Sequence, residues 1–220
     1  MSVVKKISRR MLVVDDHPLF RYGLAELLLE LEGVEEVDQA SDGNEAMEKI
    51  RETSYDLVFL DVEMPNKNGA ATLADIRQLE SPPKVIIISM HANLDKIQQF
   101  YGKGVSGYIL KNTSVRELNL AISLIMDGEE YYSRQVLETL VKSKKRFSHE
   151  ALTETPLTPS ELRVLELICQ QESNEEIARQ MSLSSLTVKR HRQNIKDKIG
   201  AKNTVGFVLY AIKHGVITMS

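Results

Sequence analysis

Asp56-Leu-Val-Phe-Leu-Asp61-Val-Glu-Met-Pro65 is the stretch whose reading decides the fold. Four apolar residues stand in a row, closed by a carboxylate and followed by a loop carrying Pro65 and Gly69. A run bounded in this way predicts a short strand, buried on both faces, whose last residue emerges at the strand's end. Three other runs share its form: Met11-Leu-Val-Val-Asp15-Asp16, Lys84-Val-Ile-Ile-Ile-Ser89 and Gly107-Tyr-Ile-Leu-Lys111. Open α/β sheets carry their functional groups at the carboxyl ends of the strands. Asp15, Asp16, Asp61, Ser89 and Lys111 would therefore gather at one rim. Three carboxylates, a hydroxyl and an ammonium are what a Mg²⁺-assisted phosphoryl acceptor needs.

Helical patterns lie between the runs. Pro18 opens Pro18-Leu-Phe-Arg-Tyr-Gly-Leu-Ala-Glu-Leu, where a proline suits the first turn. Strand-like Glu36–Ala40 leads into helix-like Asn44–Arg51, and Ala70–Leu79 and Leu94–Tyr101 read as helices as well. Ser114-Val-Arg-Glu117 has capping-box form and opens a helix running to Asp127-Gly128. Five strand–helix repeats predict a (βα)5 doubly wound parallel sheet, covered on both faces, over residues 1–130. Residues 131–156 read as a partly helical linker that includes the basic run Lys142-Ser-Lys-Lys-Arg146.

Residues 157–220 contain no strand pattern and predict a small all-α domain of four helices. Thr158-Pro-Ser-Glu161 and Ser173-Asn-Glu-Glu176 are two capping boxes. After the helix Ile177-Ala-Arg-Gln-Met181 comes a short turn, Ser182-Leu-Ser184, and then a third helix from Leu186 to Ile199, closed by Gly200. Two helices joined by so short a turn form a helix-turn-helix unit. Leu186, Val188, Ile195 and Ile199 suit the inner face of the third helix. Lys189, Arg192, Gln193 and Lys196 fall at i, i+3, i+4 and i+7, one outward stripe with Arg190 beside it. Such a stripe suits the major groove, where arginine reads guanine, glutamine reads adenine and lysines hold phosphates.

Bulk composition agrees. With 220 residues, 42% apolar and 27% charged, the chain has room for two soluble domains with a core each. A net charge of −3 conceals a split, because residues 1–141 hold 15 basic and 23 acidic groups whereas residues 155–220 hold 9 and 6. Only the last part is electrostatically suited to nucleic acid. No apolar stretch approaches the roughly 20 residues that span a bilayer, and Met1–Arg10 lacks the apolar core of a secretory signal. Cys169 is the single cysteine; it reads as a small core residue and suits a reducing compartment.

The ordered set Asp15-Asp16, Asp61, Ser89, Tyr108 and Lys111 resembles the receiver domain of two-component response regulators. The segment LTPSELRVLELICQQESNEEIARQMSLSSLTVKRHRQNIKDKIGAKN resembles the DNA-binding domain of the NarL/FixJ (LuxR-type) class, so the likeness covers nearly the whole chain. It implies a cytoplasmic transcriptional regulator in which a sensor histidine kinase phosphorylates Asp61. Asp16 would hold Mg²⁺ directly and Asp15 through water, with Asp61 and the Val62 carbonyl completing the protein's share. Lys111 would neutralise charge, Ser89 would turn toward the phosphoryl group, and Tyr108 would fill the space it leaves. The resemblance places Thr187, Lys189, Arg190 and Gln193 near promoter DNA, bound by a homodimer, with no membrane partner. Gln193 stands where lysine is frequent, and Asn112 stands where many receivers have proline. Beyond its own phosphoryl transfer and dephosphorylation the chain is expected not to be an enzyme. Glu63 has the spacing of a phosphatase general acid, but no substrate-covering insertion accompanies it. A phosphate sink whose tail binds a protein instead of DNA is the alternative reading.

Overall fold

Alternation of apolar runs and capped helices builds the first of two units into which the chain divides, Met1–Val115 and Arg116–Ser220. The computed structural model describes residues 9–144, 156–201 and 203–217. The first unit runs β1 (Arg9–Val14), α1 (Pro18–Leu29), β2 (Val34–Ala40), α2 (Gly43–Glu52), β3 (Leu57–Asp61), α3 (Gly69–Ile76), β4 (Lys84–Ser89), α4 (Leu94–Phe100) and β5 (Gly107–Leu110). Its strands are parallel, in the order β2-β1-β3-β4-β5. Met11–Val14, Leu57–Leu60 and Val85–Ile88 are wholly buried, as expected of strands covered on both faces. In contrast, β2 at the sheet edge carries the exposed Glu35 and Glu36, charges that discourage further pairing there.

Register fixes the rim. Val14 pairs with Leu60, Asp61 with Ile88, and Ser89 with Leu110, so the residues at the ends of β1, β3, β4 and β5 come level on one side of the sheet. The following helices are held by caps. Asp42 accepts the amides of Asn44 and Glu45, Asn68 that of Ala71, and Asn93 those of Asp95 and Lys96. Such caps each contribute about 1 kcal/mol. At α1 the pattern differs: Pro18 supplies the first turn, while the N-cap residue His17 makes no side-chain cap bond.

The second unit contains α5 (Val115–Met126, beginning on the last residue of the first unit), β6 (Tyr131–Tyr132), α6 (Arg134–Lys144), α7 (Pro159–Cys169), α8 (Asn174–Met181), α9 (Ser185–Ile199) and α10 (Thr204–Lys213). Both capping boxes form, Thr158 with Glu161 and Ser173 with Glu176. Ser182 and Gly200 end α8 and α9 in the left-handed region. Val164, Leu165, Leu167, Ile168, Ile177, Val188 and Ile195 form its core. Burying each contributes about 1.5–3 kcal/mol before conformational entropy is charged.

Residues 131–144, expected as the partly helical start of a linker, form β6 and α6 within this unit. Tyr131, Tyr132, Val136, Leu137 and Leu140 are buried, and the Tyr131 hydroxyl donates to Glu117 Oε1 at 3.0 Å. The linker expected over 145–155 lies outside the described residues.

Candidate functional site

At the rim, the ends of β1, β3 and β5 bring opposite charges into contact. Asp15 is 0% exposed and Asp61 4% exposed. Lys111 Nζ lies 2.7 Å from Asp15 Oδ2 and 3.1 Å from Asp61 Oδ2, and 5.0 Å from the centroid of the Phe20 ring. Asp61 Oδ1 accepts the Val62 amide at 2.8 Å. Burial pushes the Asp61 carboxyl up to about 6, and the neighbouring Asp15 charge adds to this; the Lys111 ammonium opposes both. A carboxylate desolvated to this degree gains from any added cation.

Asp15, Asp16, His17 and Asp61 each offer a ligand atom, all within 4.8 Å of one another. Asp16 Oδ1 is a buried oxygen without a hydrogen-bond partner. An oxygen-rich set with an unsatisfied buried acceptor fits a hard divalent cation such as Mg²⁺. The Val62 carbonyl, expected beside the ion, accepts the Gly69 amide at 3.1 Å, which occupies one of its two acceptor positions in the β3–α3 loop. His17 was not foreseen; its adjacency to Asp15-Asp16 at a helix start was the available signal.

Ser89 is buried, and its hydroxyl donates to the His91 carbonyl at 3.2 Å, within its own loop. Tyr108, expected to fill the space that Ser89 leaves, is fully buried, with an edge-to-face contact to Phe100. Burial pushes the Tyr108 hydroxyl up, and Ser89 beside it pulls the other way. Outside the rim, Glu63 pairs with Lys96 at 2.6 Å, which holds its carboxyl below the usual range. These two line an open cavity of about 520 Å³ together with Asp16, Val62, Pro65 and Asn68.

In the helix-turn-helix, Ser184 caps α9 by accepting the Thr187 amide at 3.1 Å. Arg190, Gln193 and Lys196 are exposed, and Thr187 and Lys189 are half-buried. Gln193 donates to Asp197 Oδ1 at 2.8 Å. Arg192 does not belong to the outward stripe: it is 4% exposed. Its Nη2 donates to Glu129 Oε2 at 3.0 Å, and its Nε lies 3.0 Å from Glu129 Oε1. Lys189 pairs with Asp127 at 3.1 Å. The reason is helical phase, since Val188, Arg192, Ile195 and Ile199 share one stripe and Arg192 fills an inner position among apolar neighbours. Leu186 is corrected in the opposite sense, being 77% exposed in the first turn. The acidic stretch Asp127-Gly-Glu-Glu130, which holds these basic groups, carried no spacing signal in the sequence.

Comparison with known proteins finds matches to both parts of the chain. Residues 11–123 match the response regulator receiver domain, and residues 155–211 match the bacterial regulatory proteins of the luxR family. The chain is 32% identical over 209 residues to the transcriptional regulatory protein MctR of Rhizobium johnstonii, covering 95% of each. It is 30% identical over 208 residues to the response regulator protein VraR of Staphylococcus epidermidis, covering 94% of this chain and 98% of the relative. Among solved structures, the response regulator ChrA of a heme-sensing two-component system is similar with a TM-score of 0.53 and 26% identity, over 96% of this chain and 100% of that one. The chain therefore belongs to the response-regulator family, as a receiver domain followed by a LuxR-type DNA-binding domain.

Proposed function

We propose that this chain is a transcriptional regulator whose DNA binding is set by phosphorylation of Asp61 from a sensor histidine kinase. The observation that carries this reading is the buried Asp15–Lys111–Asp61 cluster at the rim, beside an Asp16 oxygen that accepts no hydrogen bond. An Asp61 carboxylate oxygen attacks the phosphorus of a phosphohistidine; the P–O bond forms as the P–N bond breaks and the imidazole leaves. A loose phosphoryl transition state asks for positioning and charge neutralisation more than for proton transfer. Lys111 supplies a fixed positive charge from a site only 5% exposed. Asp15, Asp16 and Asp61 would hold a Mg²⁺ ion, which would supply further charge neutralisation. Ser89 donates to a phosphoryl oxygen once it gives up the His91 carbonyl, and that movement is felt by Tyr108 beside it.

We take the receiver to run to about residue 130 and the DNA-binding domain to begin near 157; the matches over residues 11–123 and 155–211 support this reading, while residues 116–144 group with the second unit. Thr187, Lys189, Arg190, Gln193 and Lys196 form the DNA-facing surface, in the cytoplasm. Arg192 joins them only after it parts from Glu129. One module of this size makes few base contacts, so a homodimer on two half-sites supplies affinity through effective concentration. The chain turns over no substrate other than its own phosphoryl group.

The test is selection of duplex DNA from a random library, with and without an acyl-phosphate donor and Mg²⁺. A two-fold-related sequence enriched only with the donor, and lost in Asp61→Asn, is the expected result. Equal enrichment without the donor refutes the switch. No enrichment under any condition supports the phosphate sink with a protein-binding tail.

A further inference from the structure

His17 is placed in a way that neither helix capping nor the phosphoryl reaction explains. It stands at the N-cap of α1 with extended backbone, yet its side chain makes no cap bond. The ring is turned to the carboxylates: Nδ1 lies 2.7 Å from Asp16 Oδ1 and 3.3 Å from Asp15 Oδ1. Asp16 Oδ1 nevertheless has no hydrogen-bond partner, so the imidazole is not aligned to donate to it. A ring nitrogen and a carboxylate oxygen packed this closely need either a shared proton or a cation between them. Lys111 does not serve, because it reaches Asp15 and Asp61 through their Oδ2 atoms. Ligand atoms at neighbouring corners of an octahedron with bonds of about 2.1 Å stand about 3 Å apart. The Nδ1 distances bracket that spacing.

We propose that the His17 imidazole is a nitrogen ligand of the divalent ion held by Asp15, Asp16 and Asp61, and that it biases the site toward Mn²⁺ over Mg²⁺. Mg²⁺ prefers oxygen and keeps its waters. Mn²⁺ shares its octahedral habit and carboxylate preference but, as a first-row transition ion at the weak end of that series, accepts an imidazole nitrogen more readily than Mg²⁺ does. One nitrogen in an otherwise oxygen set therefore separates the two ions. The side chain is 67% exposed, which leaves the ring free to adjust as the ion enters.

This inference rests on the rim being a metal site, and the experiment separates the two claims. Mn²⁺ binding to the full chain is followed by the electron paramagnetic resonance of the free ion, and Mg²⁺ binding by competition, in the wild type and in His17→Asn. Asparagine keeps a favourable N-cap and offers oxygen where the ring offered nitrogen, and thermal unfolding checks that the variant folds. The expected result is that the preference for Mn²⁺ over Mg²⁺ falls by about tenfold or more in the variant, with ¹⁴N modulation of the bound Mn²⁺ signal present in the wild type and absent from the variant. A wild-type signal without ¹⁴N modulation, or an unchanged Mn²⁺-to-Mg²⁺ ratio, overturns the role of His17 and leaves the metal site standing. Failure of the wild type to bind either ion overturns both.

Discussion

The acceptor rim and the DNA-reading helix obey different geometric rules. On the rim, each functional residue ends or closely follows a strand of a buried parallel sheet, and pairing of Val14 with Leu60, Asp61 with Ile88 and Ser89 with Leu110 leaves little freedom in where it stands. On α9, position is a matter of rotation by about 100° per residue, and one step separates an outward-facing residue from a core contact. Arg192 and Gln193 are neighbours in sequence; the first is buried against Glu129 and the second exposed. Sites built from strand ends tolerate less change than sites built from a helix face.

The harshest way to break this contrast is at a glycine. A Cβ on Gly69 would stand 2.1 Å from the Asp61 carbonyl oxygen, a backbone atom that cannot swing away. Gly69→Ala should cost about 3 kcal/mol or more and abolish phosphoryl uptake, read by thermal unfolding and a phosphorylation assay. The matched change in the second unit, Gly206→Ala, meets Ala201 with its Cβ at 3.0 Å and its Cα at 3.3 Å, looser than the 2.1 Å at Gly69, and equal losses at the two positions would erase the contrast.

Next in size is Glu129→Gln, which removes the charge facing a buried guanidinium. A loss of about 2 kcal/mol of stability is expected, together with tighter, more salt-dependent duplex binding as Arg192 becomes available. Weaker DNA binding in that variant would show that the pair positions α9 for DNA instead of withholding Arg192.

Asp61→Asn tests the rim's electrostatics. The wild-type carboxyl titrates near 6 in the fold and near the ordinary carboxylate value when unfolded, so the folded state holds its proton more tightly. Ionisation of Asp61 therefore costs stability, beginning as pH rises above about 4 and complete above about 6. Asn, which never ionises, should be more stable than the wild type by on the order of 2 kcal/mol above pH 6. It should be level with it below pH 4, in metal-free buffer. A wild type that is the more stable of the two at pH 7 would contradict the desolvation described for this carboxyl.

The smallest effect belongs to Leu186→Ala. At 77% exposure its loss should change stability by less than about 0.5 kcal/mol. In the first turn of α9 it is suited to a thymine methyl, so the variant should lose discrimination at one base pair while affinity for random duplex stays unchanged.

The two rules also explain how much was legible in the sequence. The strand-end set Asp15, Asp16, Asp61, Ser89 and Lys111 followed from four apolar runs, since a run's last residue is easy to count. Both capping boxes and the turn Ser182–Ser184 were likewise local. Arg192 was misplaced because a charged residue on the Val188–Ile195 stripe reads as outward until a partner such as Glu129, far off in sequence, is known. A partly helical stretch after residue 130 was legible, but its burial was not, as its buried tyrosines depend on contacts such as Tyr131 with Glu117 that no periodicity announces. Tyr108 was found by family resemblance, but its buried ring was not, because rotamers are set by packing.

Cys169 has a practical consequence. It is the chain's single cysteine, half-buried against the core of the second unit, with burial pushing its thiol up to about 12. A thiol so seldom ionised reacts slowly with alkylating reagents until its surroundings open. The protein thus carries an intrinsic timer: the rate of alkylation at this one atom reports the breathing of the DNA-binding half alone, without any label having been introduced.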